Sequence, residues 1–213
     1  MARTPPFELT GGALSLDFVN TLGDRPRCRE ERLHRYDDLV AWLRQAGAVS
    51  APQAARLRRR AREQPGRARK SLARALSLRE SLYRIFTIVA RGGTPGAAEL
   101  SELNEALAEA LARLRIASGP GGPHWEWRSG ERELDLPLWP VTRSAGDLLT
   151  SPERLQVREC AGHACSWLFV DRSRTHRRRW CSMSTCGNRD KARRHYERTR
   201  SSRTSGRGRR RQR

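Results

Sequence analysis

Four of the five cysteines fall in two pairs toward the C-terminal end, Cys160 with Cys165 and Cys181 with Cys186. Each pair encloses four residues, and fifteen residues separate the pairs. No other stretch constrains the chain as tightly. Two short thiolate turns that converge on one ion each supply an edge of the tetrahedron that zinc prefers. The spacing predicts a four-cysteine, zinc-ribbon-like module with Cys160, Cys165, Cys181 and Cys186 as ligands of a structural Zn2+. The gap within each pair is wider than the two residues common in ribbons, so four unrelated buried thiols are the competing reading. Disulfides have less support. The stretch MARTPPFELT holds no apolar signal core, and a reducing, cytoplasmic setting is expected. His163 and His176 lie inside the module, but four thiolates already fill the shell, so both are expected outside it. A filled shell has no position for a reactive water. With no paired carboxylates or histidine cluster to form a second centre, an enzyme is not expected.

Charge is the second constraint. The 213-residue chain has a net charge of +20, unevenly distributed. From Ser151 onward it holds 19 Lys and Arg against 5 Asp and Glu, whereas the first 150 residues hold 24 against 18. Lys70 and Lys191 are the only lysines. A GC-rich genome favours arginine over lysine without selection for binding, but it does not thin out acids after Ser151. A polyanion partner for the C-terminal third is expected, nucleic acid first. No run approaches eighteen apolar residues, so no membrane span is expected.

The fold class that follows is mainly α. Leu14, Phe18 and Leu22 recur at four-residue steps and suit a short helix, although alternation from Leu14 to Phe18 also suits a strand. A helix is expected over about 36–46, ended by Gly47, and another to about residue 64, opened by a Ser50–Gln53 capping box with Pro52. A longer one follows over about 68–91. Thr94 and Pro95 cap a further helix with Leu100, Leu103, Leu107, Leu111 and Leu114 as its stripe. SGPGGP at 118–123 reads as a break. HWEWR and RELDLP around Ser129 and Gly130 then read as a small β-hairpin with Trp125 and Trp127 on one face. A last helix over about 140–149 reaches a boundary at Ser151 and Pro152.

Within the cysteine module, residues 155–159 and 167–170 read as strands. Trp167 and Phe169 share a face and, with Trp180, are expected to cover the metal, stacking on bases being the alternative. Gly187 allows a tight turn beside Cys186, and Asn188 is the expected N-cap of a basic helix to about Arg198. Arg189 and Arg193 fall on one side of that helix with Tyr196, and Lys191, Arg194 and Arg198 on the other, so no broad apolar face remains. With Arg172, Arg174, Arg177, Arg178 and Arg179 between the cysteine pairs, these are the candidate phosphate contacts. Residues 201–213 read as a disordered arginine-rich tail. Cys28, between Arg27 and Arg29, is a spare cysteine or a redox-sensing thiol.

The wording around the cysteines adds to this reading. WLFVDRSRTHRRRWCSM, followed by Cys186, Gly187, Asn188 and Arg189, resembles the CGNR zinc-finger family over about residues 159–194. The resemblance implies a zinc-binding module that contacts DNA or RNA. LSLDFVNTLGDRP together with RYDDLVAWLRQAG resembles the ABATE domain, a stress-induced transcription-regulator domain found ahead of CGNR fingers, over about residues 7–150. Asp17, Asn20 and Thr21 are its best-matching polar positions; they cap and bridge helices internally or line a ligand pocket. The expected organisation is a helical domain over 7–150, a zinc finger over 151–200 and the tail. The expected function is zinc-dependent nucleic-acid binding by a transcription regulator of duplex DNA, with the helical domain sensing an effector or forming a homodimer. RNA binding through the same module, and a protein adaptor with a basic tail, are the alternatives.

Overall fold

Helix α4, Pro65–Ala90, is the axis on which the other elements assemble. Its sequence is rich in alanine, leucine and arginine, all strong helix formers. Ala75, Leu78, Leu82, Ile85 and Phe86 recur at three- and four-residue steps and are buried. Around it pack α1 (Leu14–Val19), α2 (Tyr36–Gln45), α3 (Ala51–Glu63) and α5 (Ala97–Leu111). Helix α6, Leu138–Thr150, lies across α5 and α1. The computed structural model describes residues 7–25, 27, 29–128 and 130–209, and of residues 131–132 and 200–209 the backbone alone. Cys28 and residues 210–213 lie outside the described residues.

The local signals act where the side chains can reach them. Ser50 Oγ accepts from the Gln53 amide at 3.3 Å and Gln53 Oε1 from the Ser50 amide at 2.8 Å, so α3 opens on a reciprocal cap. Gly47 follows α2 with φ +72°, a conformation that a Cβ disfavours. Gln64 separates α3 from α4, and α4 begins ahead of the expected start near residue 68. Proline has no N–H to lose in a first turn, and α4 starts on Pro65. Helix α5 opens on Gly96 rather than Thr94, with Glu99 Oε2 accepting the Gly96 amide at 2.9 Å.

The hairpin differs from the expected one. Strand β3 (Leu114–Ala117) pairs antiparallel with β4 (His124–Trp127), Leu114 opposite Trp127 and Ile116 opposite Trp125. SGPGGP is the turn of this hairpin, closed by Gly122 N donating to Gly119 O at 2.9 Å. The periodicity of leucines misled because Leu114 fits both the helical step from Leu111 and the alternation opposite Trp127. GERELD is a 3-10 turn, Gly130–Asp135, where a strand was expected. Its Leu134 carbonyl accepts from Tyr36 Oη at 2.8 Å and Ser71 Oγ at 2.6 Å, bonds that a strand in a hairpin would not offer. Trp127 packs on Trp139 at 5.9 Å between ring centroids, whereas Trp125 is exposed with Arg143 over its ring.

One further pair, β1 (Leu22–Gly23) with β2 (Glu30–Glu31), closes the loop after α1. The C-terminal module is continuous with the helical core. A 3-10 turn at Pro152–Gln156 leads into β5 (Val157–Glu159), antiparallel to β6 (Leu168–Val170). Val157, Leu168 and Val170 are buried in the same cluster as Trp42, Phe86 and Trp139. Helix α7 runs Asn188–Arg209, past the expected end near Arg198 and through most of the stretch whose composition reads as a tail. Arginine favours helix and no proline interrupts this stretch.

Candidate metal centre

The β5–β6 ladder delivers the first two cysteines. Cys160 N donates to Trp167 O at 2.9 Å, extending the ladder by one step, and Cys165 N donates to Gly162 O at 3.0 Å in the turn between the strands. The second pair sits at the start of the basic helix. Ser182, directly after Cys181, is the N-cap of a π turn, Met183–Gly187, that holds Cys186 and runs into α7. Asn188 is therefore already helical, not the N-cap, and its Nδ2 donates back to Ser184 O at 3.2 Å. A serine after Cys181 was the signal that could have placed this start.

The four Sγ atoms lie within 4.8 Å of one another. Cys181 Sγ is 3.6 Å from Cys186 Sγ and 3.8 Å from Cys165 Sγ. An ion bound by four thiolates at about 2.3 Å sets sulfur–sulfur separations of about 3.8 Å, so the donor set fits one tetrahedral metal ion. Amides point at the sulfur of Cys160, from Gly162 at 3.4 Å and Cys181 at 3.3 Å. Without a cation the thiols share their protons unequally. Hydrogen bonds from Cys165 and Cys181 push Cys160 down to about 2, and the same contacts push Cys181 and Cys165 up. A bound cation removes that conflict by favouring thiolate at all four positions.

Trp167 and Phe169 are buried against the cysteines, with Trp180 beside them, and they shield the sulfurs from water. Gly162 escaped the sequence reading. A Cβ there would stand 3.2 Å from Cys186 Sγ and 3.2 Å from Cys165 Cβ, so the cluster needs a glycine for close approach. Gly187 is not in a left-handed conformation, and a Cβ on it would meet Met183 Sδ at 2.8 Å, the far end of a flexible side chain. His163 meets Arg27, and His176 contacts Asp171 O at 2.9 Å through Nδ1, so neither joins the sulfurs.

Asp171 organises the connection between the cysteine pairs. It is buried, which opposes ionisation, yet it accepts from Ser173 Oγ at 2.6 Å, Ser173 N at 3.0 Å and Arg178 N at 2.8 Å, and these bonds hold its carboxyl low.

The basic residues divide. Arg178 turns inward, donating to Trp180 O and Cys181 O, with its guanidinium 4.6 Å from the Phe169 ring centroid. Arg172 forms a two-bond pair with Glu153, at 2.6 and 2.9 Å. Arg193 pairs with Asp190 and Glu197 at 2.9 Å each, and Arg194 with Asp190 at 2.9 Å. Arg179 lies over Trp180, and Arg189 reaches Cys186 Sγ at 3.6 Å, where it offsets thiolate charge. Arg174, Arg177, Lys191 and Arg198 are exposed, and among the described residues Arg174, Arg177 and Lys191 have no ion-pair partner.

Asp17, Asn20 and Thr21 each make hydrogen bonds within the fold. Asn20 behaves as a strand end: Nδ2 donates to Leu168 O and Oδ1 accepts from Leu168 N, both at 2.9 Å, tying α1 to β6 across 148 residues. Thr21 donates to Phe18 O at 2.7 Å and accepts from Arg79 at 3.1 Å. Asp17 accepts the Gly11 amide at 2.7 Å. Burial raises its carboxyl from 3.8 to about 6, against the bonds from the Gly11 and Thr10 amides. The folded state holds this proton more tightly than the unfolded chain, so its contribution to stability falls as pH rises from about 4 to about 6. Asp17→Asn keeps an acceptor for Gly11 and is expected to be about 1–3 kcal/mol more stable than wild type at pH 7, converging with it near pH 4. Urea unfolding at both pH values checks this; an unchanged pH slope in the variant would rule it out.

The chain is thus a helical domain fused through a shared core to a four-cysteine metal-binding finger. The ABATE family model, described as "Putative stress-induced transcription regulator", matches residues 12–152, and the CGNR zinc finger model matches residues 156–199. The chain belongs to the ABATE family and carries a CGNR zinc finger after that domain. No curated protein matches it.

Proposed function

We propose that the metal is zinc and that the chain is a nucleic-acid-binding transcription regulator of duplex DNA, with α7 as the element that meets the phosphates. One observation carries the reading. Helix α7 is basic, has no apolar stripe to dock by, and is held to the protein through the turn that contains Cys186. Its 22 residues make a rod of about 33 Å. Four thiolates close the coordination shell, so the ion's role is structural: it fixes the origin and direction of a charged helix that hydrophobic burial could not. The family description and the charge excess after Ser151 support the same reading. Tyr196, 67 % exposed on α7, favours a second target, single-stranded RNA, on which a ring can stack.

Anisotropy titrations with labelled duplex DNA, single-stranded DNA and RNA across a salt series test it. Binding to one target is expected to weaken by about one log unit per log unit of salt for each phosphate neutralised, and to lose its preference on chelation. Lys191→Ala on α7 should lower that slope by about 1, since its ammonium is exposed and free of ion pairs among the described residues, and adding Arg177→Ala should lower it by about 1 more if the connection contributes too. Equal weak binding to all three nucleic acids, unaffected by chelation, would reject the reading and leave the basic surface as a docking site for an acidic protein.

A further inference from the structure

A cavity of about 330 Å3 opens where the C-terminal end of α4, the start of α5, the end of α6 and the Pro152–Gln156 turn meet. Its volume falls within the range of small-molecule sites, about 300–1,000 Å3. Val89, Pro95, Leu100 and Leu149 form its walls, all half-buried. Leu155 stands at the edge and is 68 % exposed, a large apolar side chain that the fold leaves in water. Gly92, at φ +80°, has no atom within 4 Å of where a Cβ would stand, so this part of the rim is open.

The polar side chains of the lining are Thr94, Thr150 and Arg154, so its one formal charge is positive. Thr150 Oγ1 is already committed to Gly146 O at 2.9 Å. Arg154 donates one bond to Ser151 O at 3.1 Å, is exposed, and among the described residues has no carboxylate partner. An apolar chamber with a lone guanidinium at its mouth complements a molecule that is apolar at one end and anionic at the other.

We propose that this cavity binds a small carboxylic acid with an apolar tail, the tail against Val89, Leu100, Leu149 and Leu155 and the carboxylate on Arg154. The site is separate from Asp17, Asn20 and Thr21 and does not depend on what α7 binds. It lies on the segment that joins the two domains: Gln156, the last residue of the turn beside it, accepts the Asp171 amide at 2.8 Å through its carbonyl.

Isothermal titration of the full, metal-loaded chain with decanoate below its micelle concentration, and with decan-1-ol, tests the assignment. Decanoate is expected to saturate one site per chain and to bind tighter than the alcohol. Arg154→Gln should weaken decanoate about tenfold or more, the scale of one charge-assisted bond, and leave decan-1-ol unchanged. Leu100→Trp, which fills the chamber, should abolish both; should that variant fail to fold, the exposed Arg154→Gln still decides. Absence of saturable decanoate binding, or equal decanoate affinity in wild type and Arg154→Gln, would overturn the proposal.

Discussion

The Cys181→Ser protein is expected to lose its bound metal, from one ion per chain to none measurable, and to release α7 while the helical domain stays folded. Cys181 is fully buried, its sulfur contacts those of Cys165 and Cys186, and its amide caps Cys160 Sγ. Besides the metal, this end of the module has only the apolar neighbours of the sulfurs, Trp167, Phe169 and Trp180, and the hydrogen bonds of Asp171 and Arg178. Structural zinc in finger modules contributes about 10–16 kcal/mol at neutral pH, more than such a cluster supplies by burial. Strands β5 and β6 have a second anchorage, through Val157, Leu168 and Val170 in the helical core and through Asn20. Partial unfolding is the consequence. Hydrogen exchange should show lost protection over residues 171–209 and retained protection in α2, α4 and α6, in the variant and in chelated wild type alike. Protection of α7 in either sample would contradict the structural role given to the metal.

Arg79→Ala is expected to destabilise the helical domain by about 3 kcal/mol, because it leaves a partly buried carboxylate without its partner. Arg79 is 2 % exposed in the middle of α4. Its guanidinium reaches Glu31 at 2.6 and 2.8 Å, Glu80 at 3.1 Å and Thr21 at 3.1 Å. Glu31 is partly buried, which alone would raise its carboxyl, but the bonds from Arg79 and the Leu33 and Arg32 amides bring it below the usual range. A folded-state value below the unfolded one means that this contribution is complete above about pH 4.5 and is lost as pH falls through the folded value. In Arg79→Ala that acid-side loss should shrink as well. Urea unfolding of both proteins at pH 7 and pH 4 measures the two effects together, and a loss under about 1 kcal/mol at pH 7 would show that the network is solvated enough to be dispensable.

Much of this protein is legible in the chain because its signals are short-range. The Ser50–Gln53 cap, the glycine after α2 and the stripe along α4 act over three or four residues, and the structure uses them as written. The cysteine cluster is legible for a related reason, since only a few arrangements let two such pairs meet. The hairpin was misplaced because Leu114 satisfies two periods, and only the partner strand decides between them. Arg172 and Arg178 looked equivalent in a run of arginines; a carboxylate nineteen residues away engages the first, and the Phe169 face and two carbonyls engage the second.

Sequence alone determined the helical class, the four-thiolate set and the position of the positive charge, because periodicity, ligand spacing and composition are properties of neighbouring residues. Tertiary structure decided which arginines remain exposed, and that Asn20 serves as a bridge into β6. It also decided that the finger shares the core of the helical domain, with Val157, Leu168 and Val170 buried beside its helices. Those outcomes depend on which distant groups are brought to within hydrogen-bond or van der Waals reach, and that proximity exists only once the chain is folded.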